Sequence, residues 1–172
     1  RIVAYAPGES IPAQAILTMA KFKAFVDAWI AENGLSAIAI QCWTSLEETI
    51  GIVPCAVMSI LSQTMIPAAC EVDVTGALAM LILQAASQHP SAIVDWNNNY
   101  GGEENKVVLF HCSNLPTSYF SSARMGYQEI IAGSVGKENA CGTILGRMKE
   151  GPFTFLRLTT DDAGGTIRGY AG

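Results

Sequence analysis

Residues 67–114 read PAACEVDVTGALAMLILQAASQHPSAIVDWNNNYGGEENKVVLFHCSN, and the reading of this stretch decides the fold. Three short apolar runs in it each end on a polar residue. IPAAC is followed by Glu71, SAIV by Asp95, and KVVLF by His111. If the runs are neighbouring parallel strands, the three side chains gather at the carboxyl edge of one sheet, where open α/β sheets bind ligands. Two carboxylates and an imidazole converging there form a donor set for a divalent metal. A carboxylate beside a metal also suits proton transfer at carbon next to a polarised carbonyl. The plainer alternatives are a helix cap for Glu71, a loop turn for Asp95 and a core histidine bonded to backbone for His111.

Outward from that stretch, strands and helices alternate. RIVAYA reads as a strand. Residues 11–33 carry an apolar stripe of Ile16, Met19, Phe22, Val26 and Ile30 near a 3.6-residue period, which predicts a helix. Ser10 is its candidate N-cap, Pro12 fits its first turn, and Gly34 its close. LSAIAIQCW lacks alternation, as a strand buried on both faces does. TSLEETIGIVP reads as a polar connection, and Pro54 opens a helix over CAVMSILSQTM. Asp73 is placed to cap the next helix, VTGALAMLILQAAS, which His89-Pro90 ends. AIV and KVVLFH read as strands joined by the loop WNNNYGGEEN. Beyond residue 120, SSARMGYQEIIAGS reads as a weak helix or irregular segment. CGTILGRMKEG, PFTFLRLTTDD and GTIRGYAG read as an antiparallel meander. The expected fold class is α/β: a parallel three-layer α/β/α sheet domain over 1–137, then 138–172 as the start of an antiparallel β domain.

The bulk properties exclude some functions. Lys and Arg total 10 against a net charge of −5, without a basic stripe, so no nucleic-acid surface is expected. No apolar run is long enough to predict a membrane span. The five cysteines, Cys42, Cys55, Cys70, Cys112 and Cys141, lack zinc-finger spacing and read as reduced thiols of a cytoplasmic protein. Only 15% of residues are charged, against about 25% in average usage. With the start at Arg1 and the end at GTIRGYAG, this reads as a piece of a longer protein whose missing parts cover apolar faces. The tract Trp96-Asn97-Asn98-Asn99-Tyr100 offers amides that both donate and accept between two aromatic faces, a chemistry suited to hydroxyl-rich ligands. Ser113 and Asn114 after His111, and Trp43 at another strand end, are candidates to line the same pocket. His89 reads as a surface residue.

The residues CWT at 42–44, GIVPC at 51–55, PAACEVD at 67–73, Asp95, FHCSN at 110–114 and the later FTFLRL resemble the L-fucose isomerase and L-arabinose isomerase superfamily. The shorter L-fucose isomerase-like proteins are the nearest in pattern, over roughly 36–160. The resemblance implies a divalent metal, usually Mn2+, and aldose–ketose interconversion through a cis-enediol on an L-fucose- or L-arabinose-like monosaccharide. It implies Glu71 and Asp95 as acidic metal ligands and as candidates for proton transfer. His111 is similar to a ligand of the arabinose isomerase branch. The fucose branch takes its histidine from the carboxyl-terminal domain, and no histidine follows His111 here. The family further implies a homo-oligomer with sites built across subunits, so a fragment is expected to be inactive by itself. Alternatives in other classes are a sugar-binding module without turnover, an oligomerisation domain, and a metal-dependent lyase or aldolase.

Overall fold

The structure, a computed structural model, describes residues 2–8, 11–111 and 114–172. Its centre is a pair of short parallel strands, β1 (Ile38–Ile40) and β2 (Ala68–Cys70), with Ile38 opposite Ala68 and Ile40 opposite Cys70. Successive side chains of β2 leave on opposite faces. Ala68 and Cys70 enter the main core with Met19, Val57, Met58 and Leu61. Ala69 faces the other way, onto Ala77 and Met80. The helices supplying these partners are α2 (Ala13–Asn33) and α4 (Cys55–Gln63) on one face, and α5 (Val74–Ser87) on the other. Helices thus cover both faces of the pair. The broad expectation of mixed helix and strand holds, but the only parallel pairing among the described residues joins β1 to β2.

The helix ends follow local chemistry. Pro12 takes the N-cap position of α2, one residue outside the first turn, and Gly34 closes that helix with its N–H directed to the carbonyls of Ala31 and Ile30. Ser10, the expected cap, lies outside the described residues. Pro54 precedes α4 as expected. Asp73 caps α5, its Oδ1 accepting from the Gly76 N–H at 2.7 Å and from the Thr75 hydroxyl at 2.9 Å. The chain leaves α5 through Gln88, just before His89-Pro90.

Two expected elements have a different form. RIVAYA is no strand: Ile2–Tyr5 form a helical turn, α1, because Ile2 and Ala6 are both buried at helical spacing. The Tyr5 hydroxyl also lies 2.8 Å from Ser59 Oγ. Ser59 in turn donates to the Leu115 carbonyl at 2.6 Å, and the Thr117 N–H donates to the Tyr5 hydroxyl at 3.0 Å. The supposed polar connection contains a helix, α3 (Ser45–Ile50), with Glu47 and Glu48 in its first turn, where carboxylates favour the helix dipole.

The largest departure lies in the deciding stretch. Residues 91–94 form no strand, and Asp95 opens one. Strand β3 (Asp95–Tyr100) pairs antiparallel with β4 (Glu103–Phe110), with Asp95 opposite Phe110 and Tyr100 opposite Glu103. The Asn-rich tract is therefore an exposed strand, and Gly101-Gly102 is the turn. Gly101 has φ 59°, which a two-residue hairpin turn requires and glycine adopts without penalty. The step from Asp95 to His111 is a hairpin, so those two runs are not parallel neighbours.

The segment read as weak helix divides into strand β5 (Phe120–Tyr127) and helix α6 (Glu129–Val135). Strand β6 (Cys141–Met148) pairs antiparallel with β5, so this ladder crosses the expected boundary at 137/138. The last two strands, β7 (Leu156–Asp161) and β8 (Thr166–Ala171), form a separate hairpin. The expected meander is thus two independent antiparallel ladders. β6 docks on the start of α4, where the Val53 N–H donates to the Cys141 carbonyl at 2.8 Å.

Candidate functional site

The ends of β1 and β2 create the site. Both strands run the same way, so the residues leaving them, Gln41–Trp43 and Glu71–Val72, emerge on one rim. Glu71 and Val72 have φ 59° and 56°, and the Asp73 N–H returns to the Cys70 carbonyl at 3.0 Å. This is a turn with both central residues in the left-handed region, a conformation usually filled by Asn, Asp or Gly. For a β-branched residue such as Val72 it is unfavourable. Strain of this kind is often retained where a side chain must be aimed. Here it places Glu71 exposed on the rim, with Trp43 Nε1 3.4 Å from its Oε1.

Behind Glu71 lie two buried thiols. The sulfurs of Cys42 and Cys70 and a Glu71 carboxylate oxygen are all within 4.8 Å of one another. His111, the residue after β4, brings Nε2 to 2.8 Å from Cys70 Sγ. Glu71 and His111 are thus linked through a residue adjacent to one and bonded to the other. Asp95 reaches this region by a different route. It is the exposed first residue of β3, opposite Phe110, which precedes His111 in the chain. Its carboxylate is not a member of the close group of Cys42, Cys70 and Glu71.

The remaining candidates divide. Trp96, Asn97, Asn98 and Asn99 are exposed along β3, and the Trp96 ring meets Phe155 edge-on with centroids 6.3 Å apart. Asn98 Oδ1 accepts from the Asn99 N–H at 2.8 Å. Asn114 is buried, its Nδ2 donating to the Ala68 carbonyl at 3.3 Å, while its Oδ1 has no partner among the described residues. Ser113 lies outside the described residues, as does Cys112. His89 is exposed. Sequence reasoning took Cys42 and Cys70 only as buried thiols and missed their convergence. The signal was present, because each stands directly before a residue chosen for the site, Trp43 and Glu71.

The chemistry of the rim is that of an exposed carboxylate, an imidazole and two thiols at a strand edge. Comparison with known proteins adds a family. Residues 109–172 match the family model described as L-fucose isomerase, C-terminal domain. The resemblance to the L-fucose isomerase-like family is borne out. Curated relatives of this chain carry the name sulfoquinovose isomerase. The one from Alkalicoccus urumqiensis is 35% identical over 98 residues, covering 55% of this chain and 22% of the relative. That of Clostridium sp. (strain MSTE9) is 31% identical over 97 residues, covering 56% and 21%. That of Priestia aryabhattai is 25% identical over 99 residues, covering 58% and 22%. The chain therefore spans about a fifth of the length of the curated relatives it matches. No solved structure matches it. Among the described residues no helix is long and apolar enough to cross a membrane.

Proposed function

We propose that this chain supplies the acidic half of the active site of an aldose–ketose isomerase working through a cis-enediol. The observation that carries the reading is the strained turn that presents Glu71 at the carboxyl edge of the parallel pair, in a chain whose carboxyl-terminal part matches an L-fucose isomerase domain. The substrate is a monosaccharide of the L-fucose or L-arabinose kind. A 6-sulfonated hexose belongs in the same set, since the relatives bear the name sulfoquinovose isomerase.

One carboxylate of Glu71 and Asp95 takes the proton from C2 of the open-chain aldose and returns it to C1. The hydroxyl proton on O2 is lost as that oxygen becomes the ketone, and O1 gains one. The second carboxylate holds the two oxygens in the cis arrangement that an enediol needs. Trp43 Nε1 orients Glu71 from the side. The amides of Asn97, Asn98 and Asn99 bind hydroxyls, and Trp96 supplies a face for the apolar side of the sugar.

By the chemistry of their donor atoms, three residues would hold a divalent cation such as Mn2+. Glu71 and Asp95 would contribute oxygens and His111 a nitrogen, the hard and borderline donors such an ion takes. When bound, the cation supplies polarisation of the two adjacent sugar oxygens. The complete protein is proposed to be a cytoplasmic homo-oligomer that acts on a free sugar and has no nucleic-acid or membrane partner. The test is calorimetric titration of Mn2+ into the chain and into Glu71→Gln. The expected result is a binding heat reduced about tenfold or more in apparent affinity by the substitution. Equal heats from both proteins would remove Glu71 from the ligand set, and the reading with it.

A further inference from the structure

The rim holds donors that the isomerase reading leaves unused. Cys42 and Cys70 are buried at the ends of the two paired strands, and their sulfurs lie within 4.8 Å of each other and of a Glu71 oxygen. His111 adds a ring nitrogen 2.8 Å from Cys70 Sγ. We propose that Cys42, Cys70, His111 and Glu71 form a binding site for a thiophilic divalent cation, Zn2+ foremost.

Two thiolates, one imidazole and one carboxylate are donors that zinc accepts in four-coordinate sites. Sulfur also selects against Mn2+ and Mg2+, which prefer oxygen. Sulfur stands about 2.3 Å from zinc, and nitrogen or oxygen about 2.0 Å, so tetrahedral donors lie roughly 3.5–3.8 Å apart. The Cys70–His111 contact of 2.8 Å must open by somewhat under an ångström, the separations among Cys42, Cys70 and Glu71 must close by no more than about 1.3 Å, and the His111 ring, which stands outside their 4.8 Å group, must swing toward Cys42 and Glu71. These changes fall to the side chains of Glu71, which is exposed, and His111, which is half-buried. The backbone of Cys70 is already fixed by its ladder with β1. Each thiol releases its proton to solvent as its sulfur ligates. The burial pattern gives the approach, with the exposed carboxylate at the entrance and the sulfurs behind it.

This site goes beyond the isomerase reading and does not depend on it. The two share Glu71 and His111, so a zinc ion held by the thiols excludes a second cation from those residues. Cys55 and Cys141 are buried cysteines outside the group and serve as controls.

The experiment is titration of Co2+ into the 172-residue chain, followed by Zn2+ displacement. The expected result is one bound Co2+ with a thiolate-to-cobalt charge-transfer band in the near ultraviolet and the strong visible bands of four-coordinate cobalt, all erased by Zn2+. Cys42→Ser should lower the charge-transfer intensity and weaken Zn2+ binding roughly tenfold or more, while Cys55→Ser keeps both. A cobalt spectrum without the thiolate band overturns the proposal, and it does so on the unsubstituted chain, whatever the folding of the variants. Equal Zn2+ affinity in Cys42→Ser and Cys55→Ser overturns it as well. Mn2+ calorimetry on Cys42→Ser separates the two readings. Retained Mn2+ heat with lost Zn2+ affinity supports the thiol site and leaves the isomerase ligands intact. Retained Zn2+ affinity with lost Mn2+ heat counts against the thiol site alone.

Discussion

Val72 is the residue on which the rim turns. It is half exposed, so its side chain contributes little burial, yet its backbone is held at φ 56°. A non-glycine residue in the left-handed region costs roughly 1–2 kcal/mol, and a β-branched one lies at the upper end. Glycine avoids the clash at an entropic cost of roughly 0.5–1 kcal/mol. Val72→Gly should therefore raise unfolding stability by about 0.5–1 kcal/mol in urea titration. A loss of stability would mean that Val72 does not hold this conformation in solution. The choice of Glu71 from the sequence rested on its position after an apolar run, and the run is indeed β2. What the sequence did not reveal was the turn itself, since Glu-Val carries none of the Asn-Gly signal that marks such a turn. The two thiols behind it were marked only by position, each directly before a residue chosen for the site. Their convergence depends on which strands pair, and no single residue announces that.

At the scale of elements, capping was the most legible feature. Asp73, Pro54 and Gly34 each stand at the helix end assigned to them, because caps depend on residues only a few positions apart. Removing the Asp73 side chain leaves the Gly76 N–H without its partner. Asp73→Ala should cost about 1 kcal/mol of stability, and Asp73→Asn should restore most of it. Thermal unfolding followed by circular dichroism reads the difference, and equal midpoints for all three proteins would refute the role. The hairpin of β3 and β4 was misread for an identifiable reason. Tyr-Gly-Gly-Glu is a two-residue turn signal of the strongest kind, but the amides before it read as loop because they are polar. An exposed strand has no apolar face to betray it. Ile2–Tyr5 was misread in the opposite sense: its apolar residues suggested a strand, whereas burial at positions four apart selected a helical turn.

For the molecule as a whole, the alternation of helix and strand in the first ninety residues was readable, but the number of parallel strands was not. Apolar runs of three or four residues fit either a ladder strand or a buried extended segment. SAIV is the second kind: it joins no ladder among the described residues, while Ile93 packs with Ala69, Ala77 and Met80, and Ala92 and Val94 pack on the main core. The carboxyl-terminal ladder is joined to the rest at Gly142, where φ is 112° and an added Cβ would stand 2.4 Å from the Val53 carbonyl oxygen. That neighbour is backbone and cannot rotate aside. Gly142→Ala should lower stability by about 3 kcal/mol through strain and overpacking together. Chemical denaturation measures it, and a change under about 0.5 kcal/mol, the range of ordinary surface substitutions, would show that β6 does not approach α4 so closely.

The hairpin has one more consequence. Its two arms leave and rejoin the body side by side, Asp95 going out and Phe110 coming back opposite it, and Trp96 rests edge-on against Phe155. A sugar held along the outer amides would therefore load the strand that begins at Asp95 and the return arm that ends beside His111, whose ring meets Cys70, the neighbour of Glu71. The hydroxyl-binding amides and the acid at the root of the hairpin would thus share one continuous strand.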